Sequence, residues 1–182
     1  DFEIAMDMGK SLVQKADELL TKDENSALTT YQQAEQEYQK ALKISGQSEK
    51  AQIELESVQQ KILMIEQKKA KYNQLVADAD AQMRNAEYDK AQSLYNQALT
   101  LYPNAEYPKS QLKEIEKAKA NRQLQNDYDE IIAKADKLLK DKKYDEAKSL
   151  YNQALTLKPN ETYPKNQIEN CEKLKIQSQY DA

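Results

Sequence analysis

Apolar residues along this chain recur at intervals of three and four, and the stripes they draw break off at regular points. Tyr128, Ile131, Ala135 and Leu138 step along one helical face, and the polar run Lys140-Asp141-Lys142-Lys143 then predicts a turn. A second stripe follows at once: Tyr144, Ala147, Tyr151 and Ala154, flanked by Leu150, Leu155 and Leu157, form a face wide enough to touch two neighbours. Pro159-Asn160 stops that helix. Pro164 suits the first turn of a third helix, where a missing N–H is harmless, and Ile168 and Cys171 mark its inner side. We designate these segments helices A, B and C.

The same text is written more than once. Tyr88 to Lys117 returns as Tyr144 to Lys173, a shift of 56 residues with 20 of 30 positions identical. A more divergent copy lies upstream. Tyr31, Ala34, Tyr38, Ala41 and Leu42 keep the spacing of Tyr88, Ala91, Tyr95, Ala98 and Leu99, and KADELL from Lys15 matches KADKLL from Lys134. On that alignment the first copy carries about six extra residues between the two blocks, around DENSALTT, and lacks both prolines of the later copies. Three units are expected, at 1–71, 72–127 and 128–179, with 180–182 opening a further one, as Asp127-Tyr128 and Lys71-Tyr72 open earlier ones. The chain then reads as part of a longer array.

At the borders the helical rhythm does not stop. No glycine or proline occurs from Lys109 through Lys142, and EKAKANRQLQND is polar but strongly helix-favouring, so helix C of the second unit is expected to run on as helix A of the third. Val58, Ile62, Ile65, Tyr72, Val76, Ala79 and Met83 carry the earlier border in the same way, interrupted at Lys69. Such seams suit coiled-coil-like packing. The fold class expected is all-α: an elongated helical-repeat array of three-helix units, helix C of each continuous with helix A of the next.

Composition agrees and narrows the function. Two glycines, four prolines and 32% charged residues describe a chain of good helix formers with few turns. The longest apolar run is Ile62-Leu63-Met64-Ile65, far short of the roughly 18 residues of a membrane span, and no basic start leads into an apolar signal core. A soluble protein is expected, in the cytoplasm or at a bacterial periplasm or cell surface. Net charge −4 with interspersed signs argues against nucleic acid or anionic membrane, which require a basic stripe. A single cysteine permits no internal disulfide.

Chemistry has little to work with. Histidine and tryptophan are absent, and no Gly-rich phosphate loop, CxxC or HExxH spacing occurs, so the common acid–base, nucleotide and metal constellations cannot be assembled. Cys171 stands where the earlier copy has Ile115, an apolar core position, and no histidine is present to activate it. Pairs such as Asp145-Glu146 lie among lysines on solvated helices. No catalytic, cofactor or metal residue is assigned, and no small-molecule substrate is expected.

The spacing of Ala135, Tyr144, Ala147, Tyr151, Ala154 and Pro159, and of Ala79, Tyr88, Ala91, Tyr95, Ala98 and Pro103, resembles the tetratricopeptide repeat over roughly 34 of every 56 residues. Ile131 and Leu75 stand where that family usually has tryptophan, and each unit adds a third helix. The resemblance implies helical hairpins and a protein-binding role. The fused helix C is more like the continuous-linker logic of spectrin-type rods. The function expected is a non-catalytic scaffold binding a protein or peptide. The alternative is a structural rod or spacer in a bacterial surface or envelope protein. Candidate partner-binding residues are Tyr107 and Tyr163 in the prolyl turns, as exposed aromatic anchors, and Asn96, Gln97, Asn152 and Gln153 on helix B.

Overall fold

The computed structural model describes residues 1–180, so Asp181 and Ala182, in the expected opening of a further unit, lie outside the described residues. Among those described the chain is all-helical, with seven helices and no strand: α1 Phe2–Leu19, α2 Glu24–Ser45, α3 Glu49–Arg84, α4 Tyr88–Leu101, α5 Glu106–Lys140, α6 Tyr144–Leu157 and α7 Thr162–Tyr180. None is long and apolar enough to cross a membrane. Packing groups the chain into two compact units that meet at Lys109 and Ser110. The borders expected at Tyr72 and Tyr128 fall inside α3 and α5, helices of 36 and 35 residues.

Local chemistry explains the breaks. Asp23 caps α2, its carboxylate accepting from the Asn25 and Ser26 amides at 3.1 Å each. Gly46, at φ 73°, closes the same helix, and the Ser48 hydroxyl opens α3 by accepting from Ala51 N. The α3–α4 and α5–α6 turns are Schellman motifs. In the first, Glu87 N donates to Gln82 O and Ala86 N to Met83 O; in the second, Lys143 N donates to Leu138 O and Lys142 N to Leu139 O. The left-handed position is Ala86 (φ 56°) in one and Lys142 (φ 59°) in the other, each a non-glycine residue that costs about 1 kcal/mol there.

In the first unit, Ala5, Met6 and Ala16 of α1 pack with Tyr31 and Tyr38 of α2 and with Val58 and Ile62 of α3. Ala27, Ala34 and Ala41 are fully buried beside the tyrosines, letting the helix backbones approach closely. In the second unit, Ala135 of α5, Ala147 and Tyr151 of α6 and Cys171 of α7 form one buried cluster. Within α5 the eight residues from Ala120 to Asp127 are all exposed. They hold a helix without a core, aided by side-chain bonds one turn apart: Gln123 to Asp127 and Gln125 to Asp129, both 2.7 Å.

The first copy corrects the alignment made from sequence. Its hairpin matches the others through Ala27, Tyr31 and Ala34, which correspond to Ala91, Tyr95 and Ala98; all six are buried, and Tyr31 makes the bond to α1 that Tyr95 makes to α3. The register is thus seven residues earlier than expected. DENSALTT is no insertion, since Asp23 is the cap and the following residues are the start of α2. The extra length is instead at the far end of α2, which has 22 residues against 14 in α4 and α6. Tyr31-Ala34-Tyr38-Ala41 maps onto itself when shifted by seven, nearly two whole turns, so the pattern fits both registers.

The added turns pack Tyr38 against Gly9 of α1, where a Cβ would lie 2.6 Å from the tyrosine ring. Gly9→Ala is therefore expected to destabilise the fold by about 1–3 kcal/mol despite alanine's better helix propensity. Urea unfolding measures this, and a variant more stable than the parent would contradict the contact.

Candidate functional site

Three carboxylates, one on the first helix of each hairpin, organise the polar interior. Tyr95 of α4 donates to Asp80 Oδ1 of α3 at 2.5 Å, and Tyr151 of α6 donates to Asp136 Oδ1 of α5 at 2.6 Å. Tyr31 of α2 donates to Asp17 of α1. The tyrosine rings are fully buried between helices, so each hydroxyl requires a partner, and the carboxylate one helix away supplies it.

Each carboxylate takes a second donor. In the later copies it is the tyrosine expected in the prolyl turn, which the structure places in the first turn of the next helix: Tyr107 of α5 to Asp80 and Tyr163 of α7 to Asp136, both 2.9 Å. The ring pairs Tyr95–Tyr107 and Tyr151–Tyr163 meet edge to face, each with centroids 6.4 Å apart and planes at 76°. In the first copy, which lacks the prolines, Lys61 of α3 replaces the turn tyrosine; its Nζ is 2.5 Å from Asp17 Oδ1 and lies 5.2 Å from the Tyr31 ring centroid. Partial burial works to raise the Asp17 carboxyl, but the bonds from Lys61 and Tyr31 and the lysine charge bring it below the usual carboxylate range. Burial first, and then the bonded carboxylate, push the Tyr31, Tyr95 and Tyr151 phenols well above their ordinary value.

Tyr107 and Tyr163 are thus half exposed, at 48% and 44%, with their hydroxyls engaged in the fold. Asn96, Gln97, Asn152 and Gln153 are exposed on α4 and α6, away from the buried alanine–tyrosine stripe. Gln97 bonds Ser93 at 3.4 Å, and Asn152 bonds the Lys148 carbonyl at 3.0 Å, each within its own helix. Cys171 is buried beside Ala135, Ala147 and Tyr151, and burial pushes its thiol up. Among the described residues no three Cys, Asp or Glu side chains converge to hold a metal ion.

A second polar cluster ties the first two hairpins together. Glu24, in the first turn of α2, accepts from Lys68 Nζ of α3 at 2.8 Å and from the hydroxyl of Tyr102, which ends α4. Lys68 sits 4.3 Å from the Tyr102 ring centroid, and Tyr72 meets that ring edge-on with centroids at 4.9 Å.

Sequence reasoning named the tyrosines and passed over the acids. The signal was present: Ala-Asp recurs at Ala16-Asp17, Ala79-Asp80 and Ala135-Asp136, 14 or 15 residues before the buried tyrosine each time. Comparison with protein-family models gives no match, and comparison with curated proteins gives none either.

Tyr151→Phe is expected to cost about 2 kcal/mol by leaving Asp136 without its buried donor, and Tyr163→Phe roughly 0.5 kcal/mol, because water reaches the turn. Equal losses in urea unfolding would contradict this ranking. Alkaline pH offers a second check. Burial first, and the Glu54 charge second, push Tyr38 up to about 12, and Tyr31, Tyr95 and Tyr151 are raised too, whereas unfolded tyrosines ionise near 10. The folded chain then holds protons that the unfolded chain releases, so stability is full below about pH 10 and falls above it. Phenolate absorbance and circular dichroism are expected to show these tyrosines ionising together with loss of helix. Complete ionisation before unfolding would refute the assignment.

Proposed function

We propose that this chain is a non-catalytic helical-repeat scaffold that mediates protein–protein interaction. The observation that carries the reading is the recurrence of one device at a 56-residue shift: Asp80, Ala86, Tyr95 and Tyr107 correspond to Asp136, Lys142, Tyr151 and Tyr163, with the same bonds, the same turn and the same ring geometry. Such economy serves the stacking of copies, each of which buries an apolar face against its neighbours. In this reading the hairpins are tetratricopeptide-like, and α3 and α5 each join helix C of one unit to helix A of the next. The array takes a protein or peptide partner, and neither nucleic acid nor a small-molecule substrate is part of its work.

A second reading, a structural spacer, is favoured by the exposed helix from Ala120 to Asp127, which leads up to a repeat border without a buried side chain. Selection of random peptides on the immobilised chain separates the two. Enrichment of a shared peptide pattern supports the interaction module, and no enrichment beyond an unrelated helical control favours the spacer. Continuity of the border helix is tested by Leu124→Pro, which removes a backbone bond and clashes with the preceding turn at a cost of about 3 kcal/mol. Calorimetry is expected to show the melting profile separating into two transitions, and an unchanged profile would rule out coupling through this helix.

A further inference from the structure

The first unit contains a groove that neither the repeat locks nor the border helices explain. One face of α3 presents Lys61, Met64, Ile65, Lys68, Lys69 and Tyr72, a stripe about 17 Å long at 1.5 Å per residue. Two adjoining depressions, of about 490 and 470 Å³, lie along it and share Leu20, Glu24 and Lys68 as their common edge. In the first, Tyr31 and Ile65 form a buried floor between Leu20 and Met64, which are 40% and 68% exposed. The second is lined by Lys22, Asn25, Lys69, Tyr72, Tyr102 and Asn104. Large exposed apolar side chains above an apolar floor form a well suited to a partner's aliphatic side chain.

Charge indicates what accompanies it. Four lysines and two carboxylates line the groove, although the whole chain carries a net −4. Lys61 pairs with Asp17 and Lys68 with Glu24, and those acids also hold Tyr31 and Tyr102. Lys69 donates to the neutral Asn25 amide oxygen at 3.2 Å, and Lys22 lies exposed beside it. The groove is thus a cationic patch on an acidic protein. It is also particular to this copy: 56 residues later, Ala120, Asn121, Leu124 and Gln125 stand in place of Met64, Ile65, Lys68 and Lys69. Repeat packing alone therefore does not require these residues.

Resting on the interaction reading above, we propose that this groove docks an extended segment of a partner protein bearing a large aliphatic side chain and, two residues on, an aspartate or glutamate. The spacing follows from the stripe. Met64 and Ile65 are four to five residues before Lys69, about 7 Å along the helix, and two residues of an extended peptide cover about the same distance. The aliphatic group fills the well, and the carboxylate reaches Lys69 and Lys22, while the Glu24–Lys68–Tyr102 bridge separates the two sites.

A seven-residue peptide with a leucine followed two positions later by aspartate, in a serine–glycine background, tests this by titration into the labelled chain with amide nitrogen–proton spectra. Shifts are expected at Leu20, Met64, Lys69 and Tyr102, with binding at least about tenfold weaker when lysine replaces the aspartate. Met64→Glu, at an exposed site, is expected to lose about tenfold with an unchanged melting temperature, and Lys69→Glu to reverse the preference in favour of the lysine peptide. Equal binding of both peptides, or indifference to Met64→Glu, would overturn the proposal. Shifts confined to another surface would overturn the groove and leave the interaction reading standing. No shift with either peptide would overturn the groove, and the library selection decides the wider reading independently.

Discussion

A buried tyrosine hydroxyl donating to a carboxylate on the preceding helix is the contact on which these hairpins depend. A small group of packed helices cannot fill its interior with aliphatic side chains alone, because few positions are distant from solvent. Tyrosine supplies a large apolar ring and then needs an acceptor for its tip. Asp17, Asp80 and Asp136 provide it, and because an ionised acceptor strengthens the bond, each pairing fixes the rotation of one helix against its neighbour. The small residues follow from the same constraint, since Ala91, Ala98, Ala147 and Ala154 let the helices come close enough for that bond.

The second donor shows how one position is solved twice. In the later copies Tyr107 and Tyr163 arrive from the first turns of α5 and α7, carried by the chain reversal that Pro103 and Pro159 begin. The first copy has no such prolyl turn, and Lys61 reaches the same carboxylate from the middle of a long helix. A neutral donor and a charged one therefore occupy equivalent places. The exchange leaves the first unit with more cationic surface around its acid, and that local excess is what distinguishes its groove from the rest of the molecule.

Much of the fold was legible. Three–four spacing located the helices of the later copies, the prolines and polar runs marked their stops, and the absence of Gly and Pro between Lys109 and Lys142 identified the unbroken α5. The register of the first copy was not legible, because a Tyr–Ala pattern with a period of seven looks the same from either heptad and only the partner of Tyr31 decides between them. Of the candidate site, the turn tyrosines were found, but their hydroxyls are committed to the fold. The acids that receive them were hidden among 31 acidic residues, since a carboxylate on an amphipathic helix looks solvated until the facing helix is known. The groove was out of reach altogether, because it joins α1, α2, α3 and the end of α4, and no spacing rule relates those segments.

The bare helical stretch from Ala120 to Asp127 has a mechanical corollary. Its residues are all exposed, and Gln125 is held at the surface by Lys158 rather than by a buried core, so tension along the chain would unwind this stretch before it opened either hairpin. Passing from 1.5 Å to about 3.4 Å per residue, those residues would pay out roughly 15 Å of slack. A load would thus be absorbed as local stretching, while the tyrosine-locked hairpins on either side keep their form.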